Sequence, residues 1–90
     1  MKELWVARLF ISERTVHKIV QRHHIGEHEV RHAVVCVAGL AYVWDEDPDR
    51  GLRAIVKTAV RGRPVLIVLY PRADPLGDSY NLGSAYFVDQ

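Results

Sequence analysis

The sequence has few cysteines for disulfide bonds and no long apolar segment for insertion into a membrane. It has one cysteine, Cys36, among 90 residues, which excludes an internal disulfide. The flanking residues 33–38 are apolar, so we expect this thiol to be buried and inert. No apolar run approaches the roughly 20 residues that cross a bilayer, and the first residues lack the apolar core of a signal peptide. We therefore expect a cytoplasmic protein with no membrane partner.

A large excess of charge of one sign is also absent. The 12 Lys and Arg against 11 Asp and Glu leave a formal net charge of +1. Hydrophobic residues make up 49% and charged residues 26%, which is typical of globular proteins and excludes a disordered chain. Ninety residues suffice for one small core but not for a separate cofactor domain. We therefore interpret residues 1–90 as a single domain without a cofactor.

Apolar spacing predicts two helices in the first half of the chain. Ser12 is a good N-cap residue, and apolar positions at intervals of three and four predict a helix to about His24. After a break that contains glycine, the same spacing predicts a second helix from Glu27 to about Val37. An apolar segment over residues 4–11 predicts a first strand before both helices.

Strand patterns fill the second half of the chain. Residues 41–44 predict a short strand, and residues 45–51 a polar turn. Residues 52–61 alternate between an apolar and a more polar face, while the apolar run 65–70 predicts a strand buried on both faces. Residues 80–88 predict the last strand, and short turns make consecutive strands antiparallel. The expected fold class is α+β, with two N-terminal helices packed on one face of an antiparallel sheet of three to five strands.

The basic residues are concentrated despite the near-neutral total. Residues 50–73 contain six basic residues and no acidic one, namely Arg50, Arg53, Lys57, Arg61, Arg63 and Arg72. Helix 1 adds a second basic stripe at Arg14, Lys18 and Arg22. One interpretation is a phosphate-binding surface. The other is a solvated strand face that keeps the sheet polar, and composition does not separate the two.

All five histidines lie between residues 17 and 32. The segment from His28 through Glu29 to His32 matches the zinc motif H-E-x-x-H, in which two imidazoles bind the metal and the glutamate acts as a base. The apolar face of helix 2 places both histidines on the opposite side, without an evident third ligand, so we expect a chance match. His23 lies on the apolar stripe of helix 1 and faces the sheet, either as a core histidine or as a functional imidazole.

Residues 11–72 resemble the BrnT-like branch of the RelE/ParE superfamily of bacterial toxins. The stretches that carry the resemblance are Ile11-Ser12-Glu13, Arg22-His23-His24-Ile25, Glu27-His28-Glu29-Val30, the run 62–70 from Gly-Arg to a terminal Tyr, and Gly83-Ser84-Ala85-Tyr86. The chain departs from the family at Thr15 and Ile19, where relatives often carry Lys and Asn, and at Tyr86, where an Arg is usual.

The resemblance implies a RelE-like fold and a metal-independent endoribonuclease toxin that inhibits translation. In that reaction a base deprotonates a ribose 2′-OH, which attacks the adjacent phosphate, and cations stabilise the developing charge. The implied partners are a cognate antitoxin and RNA, including messenger RNA on the ribosome, in a homodimer or a hetero-oligomer with the antitoxin. The implied catalytic residues are His23, Lys57, Arg63 and Tyr86, and the implied RNA contacts are Arg22, Arg53, Arg61, Tyr70 and Arg72.

Two alternatives to the ribonuclease remain at the level of the sequence. A non-catalytic member of the same family would bind RNA or an antitoxin, and Tyr86 in place of a basic residue favours this. A small zinc protein would use His28, Glu29 and His32.

Overall fold

The computed structural model describes residues 3–89 as one five-stranded sheet with two helices. In chain order the elements are β1 (Arg8–Phe10), α1 (Glu13–His23), α2 (Glu27–Val34), β2 (Ala41–Asp47), β3 (Gly51–Val60), β4 (Arg63–Pro71) and β5 (Ser79–Phe87). The strand order across the sheet is β1-β5-β4-β3-β2. Strands β2 to β5 pair antiparallel, as their short connections require.

The expected fold class is wrong in two respects. The sheet is mixed rather than antiparallel, because β1 pairs parallel with β5. The helices also do not both precede the sheet, since β1 comes before them. Between β1 and β5 the chain passes through both helices and three strands, so no tight turn forces the two to run in opposite directions. A strand of only three residues is too short for apolar alternation to reveal its partner.

One face of the sheet carries the hydrophobic core, into which residues of both helices pack. We call it the core face; it includes Ala54, Val56 and Val60 of β3, Val65, Ile67 and Leu69 of β4, and Leu82, Ala85 and Phe87 of β5. Ile19 of α1 and Val30 and Val34 of α2 pack into this core. The opposite face, here the outer face, buries Val68 and Tyr70 of β4. The prediction that β4 is buried on both faces is therefore confirmed.

Local sequence sets the start of α1, whereas tertiary packing sets the end of α2. Helix α1 begins after Ser12, as predicted, and the Ser12 hydroxyl accepts a hydrogen bond from the Thr15 N–H. Helix α2 ends at Val34 rather than near Val37, because Val35 is extended and forms a parallel bridge with Val6. The Cys36 N–H donates to the Val6 carbonyl oxygen at 2.8 Å.

The bridge between Val6 and Val35 also affects the environment of the neighbouring Cys36. Cys36 has a positive φ of 57° just after the bridge, and its side chain is exposed, so the expectation of a buried thiol is wrong. Within residues 3–89, neither helix has the length and hydropathy needed to cross a membrane.

Candidate nucleic-acid interface

Arg53, one of the predicted RNA contacts on β3, forms salt bridges with two carboxylates. Its guanidinium pairs with Asp45 at 2.6 Å and with Asp47 at 3.2 Å, and the hydrogen bond that it donates to Asp45 raises the pKa of Arg53. Asp45 lies directly opposite Arg53 on β2. This cross-strand arrangement neutralises the arginine on the outer face and makes it a structural residue of the β2–β3 hairpin.

Arg61 and Arg63 are also held by carboxylates, at the end of the β3–β4 hairpin. Arg61 pairs with Glu29 of α2 at 2.8 Å and donates to the His24 carbonyl oxygen at 2.6 Å. Arg63, predicted as catalytic, pairs with Asp89 at 2.9 Å and lies 3.9 Å above the Phe87 ring, measured to the ring centroid. Because Arg63 stands opposite Val60, it belongs to the core face rather than to the outer face.

Tyr70 and Arg72, at the end of β4, are likewise engaged within the protein. Tyr70 is only 8% exposed, and its hydroxyl donates to Asp47 at 3.1 Å, so its ring does not present an open face for a base. Arg72 donates to the Asn81 side-chain oxygen at 2.9 Å and lies 4.0 Å from the centroid of the Phe10 ring.

The structure brings His23 and Tyr86, two of the predicted catalytic residues, close together and leaves Lys57 and Arg63 apart from them. The rings of His23 and Tyr86 are 5.9 Å apart, measured between centroids. Tyr86 is opposite Leu66, which is opposite Lys57, so Lys57 lies two strands away from Tyr86, or about 10 Å. Among residues 3–89, the buried Nδ1 of His23 is without a hydrogen-bond partner. An imidazole and a phenol are therefore neighbours, whereas the exposed ammonium group of Lys57 lies on a strand further across the sheet.

In the segment that matches the zinc motif, the glutamate makes structural contacts within the protein. The Glu29 carboxylate accepts a hydrogen bond from the Gly26 N–H at 2.9 Å and pairs with Arg61 at 2.8 Å. His28 and His32 are exposed on the surface of α2. Within the described part of the chain, no group of three metal-ligating side chains comes together. Glu29 therefore satisfies the backbone N–H of the N-cap residue at the start of α2, where Gly26 offers no side-chain cap.

A different group of cations lies between α1 and the β2–β3 turn. We call Arg14, Lys18, Arg22 and Arg50 the cation cluster. Arg14, Lys18 and Arg50 line a cleft of about 450 Å³ together with Ser12, Thr15 and Gly83. None of the residues lining this cleft within the described chain is acidic, in contrast to the surroundings of Arg53, Arg61 and Arg63.

Gly83 on β5 positions two members of the cation cluster. Its carbonyl oxygen accepts a hydrogen bond from Lys18 Nζ at 2.8 Å. A Cβ at Gly83 would overlap the Tyr70 ring, so the absence of a side chain lets that ring lie against β5. Arg50 in turn lies 3.9 Å from the centroid of the Tyr70 ring, in cation–π geometry. The pairing of β4 and β5 changes register in this region, between Val68 and Leu69.

The electrostatics of Lys18 reflect uncompensated positive charge. Partial burial lowers the pKa of Lys18 most, and repulsion from Arg22, Arg50 and Arg14 lowers it further. A bound anion would relieve this repulsion, so the cluster is electrostatically prepared for a phosphate or carboxylate group.

The sequence contained part of the signal for this site. The spacing of Arg14, Lys18 and Arg22 at one-turn intervals indicated a basic stripe on α1. Arg50 gives no such local signal, because it follows an acid-rich turn and its contact with Tyr70 depends on tertiary packing. Comparison of the chain with protein-family models, curated proteins and solved structures finds no match.

Proposed function

We propose that this protein is a metal-independent endoribonuclease, the toxin of a cytoplasmic toxin–antitoxin pair, which holds RNA at the cation cluster. The observation that carries the proposal is a cleft lined by Arg14, Lys18 and Arg50 without any acidic residue in its described wall. The resemblance to BrnT-like toxins supports the reaction type and the antitoxin partner. The imidazole of His23, near Tyr86, supports a reaction that moves protons.

The cation cluster suits the backbone of single-stranded RNA better than a base edge. Guanidinium and ammonium groups form charge-assisted hydrogen bonds with phosphate oxygens, and each such contact releases counterions. The cluster offers two arginines and one lysine in a single cleft and Arg22 on the next turn of α1. No RNA base stacks on Tyr70 in this proposal, because Arg50 covers its ring and Gly83 lies against it.

The proposed reaction uses the groups next to the cluster on β5 and α1. The imidazole of His23 takes the proton of a ribose 2′-OH, whose oxygen forms a bond with the adjacent phosphorus. The bond from that phosphorus to the 5′ oxygen of the next nucleotide then breaks, and the Tyr86 hydroxyl supplies the proton to the leaving oxygen. The products are a 2′,3′-cyclic phosphate and a 5′-hydroxyl end. Arg63 has no role here, since Asp89 holds its guanidinium.

The test is cleavage and binding of a labelled single-stranded RNA in the presence of a chelator. We expect a cyclic-phosphate product with the wild-type protein, and binding without cleavage for His23→Gln. Arg50→Ala should weaken binding about 3- to 10-fold and reduce the slope of log affinity against log salt by about 0.7.

The matched control is Arg8→Ala, which makes the same charge change on β1. Arg8 is exposed and is not among the charges that shift the pKa of Lys18. An equal loss of affinity in Arg8→Ala and Arg50→Ala would contradict the cation cluster as the binding site. Undiminished cleavage by His23→Gln would contradict the role of His23.

A second candidate function is RNA binding without cleavage, by a non-catalytic protein that resembles the same family. The observation that favours it is the pairing of Arg53, Arg61 and Arg63 with carboxylates, which leaves these arginines neutralised rather than ready for a transition state. Binding that depends on Arg50, with intact RNA after long incubation, would select this candidate over the ribonuclease.

A further inference from the structure

A second cleft, of about 420 Å³, lies between the N-terminal segment and the strands β2 and β3. We call it the aromatic cleft. Both tryptophans of the chain line it, and Trp5 is 42% exposed and Trp44 47% exposed. Tyr42 and Tyr80 complete its aromatic wall. Tyr42 and Trp44 stand edge to face with ring centroids 5.9 Å apart.

The rim of the aromatic cleft carries two large, exposed apolar side chains. Leu52 is 51% exposed and Leu76 73% exposed, and both line the cleft beside the tryptophans. Large apolar side chains that are exposed singly need no explanation, but a contiguous group of them marks an interaction surface. The grouping therefore indicates a ligand that covers the rim as well as the cleft.

The charge of the aromatic cleft has one sign. Glu3 and Asp78 lie in its wall, whereas no Lys, Arg or His does so among the residues that the structure describes. Burial raises the pKa of Tyr80, and the negative charge of Asp78 contributes to the same shift. Aromatic faces and carboxylates both attract an organic cation, and a guanidinium also stacks on indole rings.

The free edge of the sheet runs beside this cleft. Strand β2 is the last strand of the described sheet and carries Trp44. Its outer backbone groups can therefore pair with an added extended segment, and alternate side chains of that segment would reach the cleft. A protein segment thus fits the site better than a free small cation, because it also covers Leu52 and Leu76.

We propose that the aromatic cleft binds an extended segment of a partner protein, with an arginine side chain of that segment seated between Trp5 and Trp44. The carboxylates of Glu3 and Asp78 balance the guanidinium charge, and the apolar neighbours of the arginine pack on Leu52 and Leu76. This site is separate from the cation cluster and would operate whether or not the protein cleaves RNA.

The test is a titration of the full chain with a short peptide in which leucines and valines flank one arginine. Since both tryptophans line the cleft, their fluorescence reports occupancy directly. We expect saturable binding, and a loss of about tenfold or more in affinity when citrulline, which is neutral and nearly isosteric, replaces the arginine. Asp78→Asn should lower the affinity for the arginine peptide and leave the affinity for the citrulline peptide unchanged.

Two further variants keep the test decisive. Trp44→Leu should weaken binding while Trp5 still reports it, and circular dichroism checks that the variant folds. Glu13→Gln makes the same charge change as Asp78→Asn but at the start of α1, so it should bind like the wild type. Equal affinity for the two peptides would overturn the proposal. So would self-association of the chain that Trp44→Leu abolishes, because a second copy would then occupy the cleft.

Discussion

At the scale of single residues, Gly83 has the most consequences for the candidate site. Its carbonyl oxygen holds Lys18, and its missing side chain makes room for the Tyr70 ring. Through that ring it also supports Arg50, which belongs to a distant turn. A residue without a side chain therefore supports one cation from α1 directly and one from the β2–β3 turn through the Tyr70 ring.

We predict that Gly83→Ala destabilises the protein and disrupts the cation cluster together. The added Cβ would force the buried Tyr70 ring to move, which should lower the free energy of unfolding by about 1–3 kcal/mol. RNA affinity should fall to about the level of Arg50→Ala, because Arg50 loses its support. Urea denaturation and RNA titration measure the two effects. Ser84→Ala, one residue further along β5, is the control and should change neither quantity.

At the scale of elements, the start of α2 explains the glutamate of the H-E-x-x-H segment. Gly26 cannot cap the helix with a side chain, so Glu29 reaches back to the Gly26 N–H. The second carboxylate oxygen of Glu29 holds Arg61, which ties α2 to the end of β3. A glutamate with two structural partners is not available as a general base.

We predict that Glu29→Ala lowers the free energy of unfolding by about 1–2 kcal/mol, because it removes a helix cap and an ion pair. His28→Ala, on the exposed side of the same helix, should leave the stability unchanged. For each variant and for the wild type, the thermal midpoint measured with zinc should equal the midpoint measured with chelator. A stabilisation by zinc that His32→Ala abolishes would contradict this account.

The elements also show how far periodicity predicts this fold. Helix α1 was predicted to within one residue because Ser12 marks its start and its apolar stripe is regular. The end of α2 was placed too late because Val35 fits an apolar helix face as well as it fits the bridge to Val6. The parallel pairing of β1 was missed because it depends on where β5 lies, which local sequence does not specify.

At the scale of the whole molecule, three aspartates stabilise turns and chain ends that are far apart. Hydrogen bonds lower the pKa of each of them: chiefly from the Asp49 N–H for Asp47, from the Ser79 hydroxyl for Asp74, and from Arg63 for Asp89. Because these carboxyl groups bind protons less readily in the folded chain than in the unfolded chain, their ionised forms favour folding.

We predict that stability falls as the protein is acidified through the folded pKa values of these aspartates. A lowered pKa contributes stability that is present above the unfolded value and is lost as the pH falls through the folded value, so the decline should begin near about pH 4 and continue as the pH is lowered further. Urea denaturation across that range measures it. Asp89→Asn should reduce the pH dependence by removing one of the three groups. A stability that rises on acidification would contradict the assignment.

The sequence by itself determined the first helix with its serine cap, the doubly buried β4 and the basic stripe on α1. These depend on neighbours within a few residues, so composition and periodicity record them. Only the tertiary structure decided which cations pair with carboxylates. It paired Arg53, Arg61 and Arg63 with carboxylates from other elements and brought Arg50 to Lys18 across Tyr70 and Gly83. Charge neutralisation is a property of distances between elements, and those distances are set by packing rather than by local sequence.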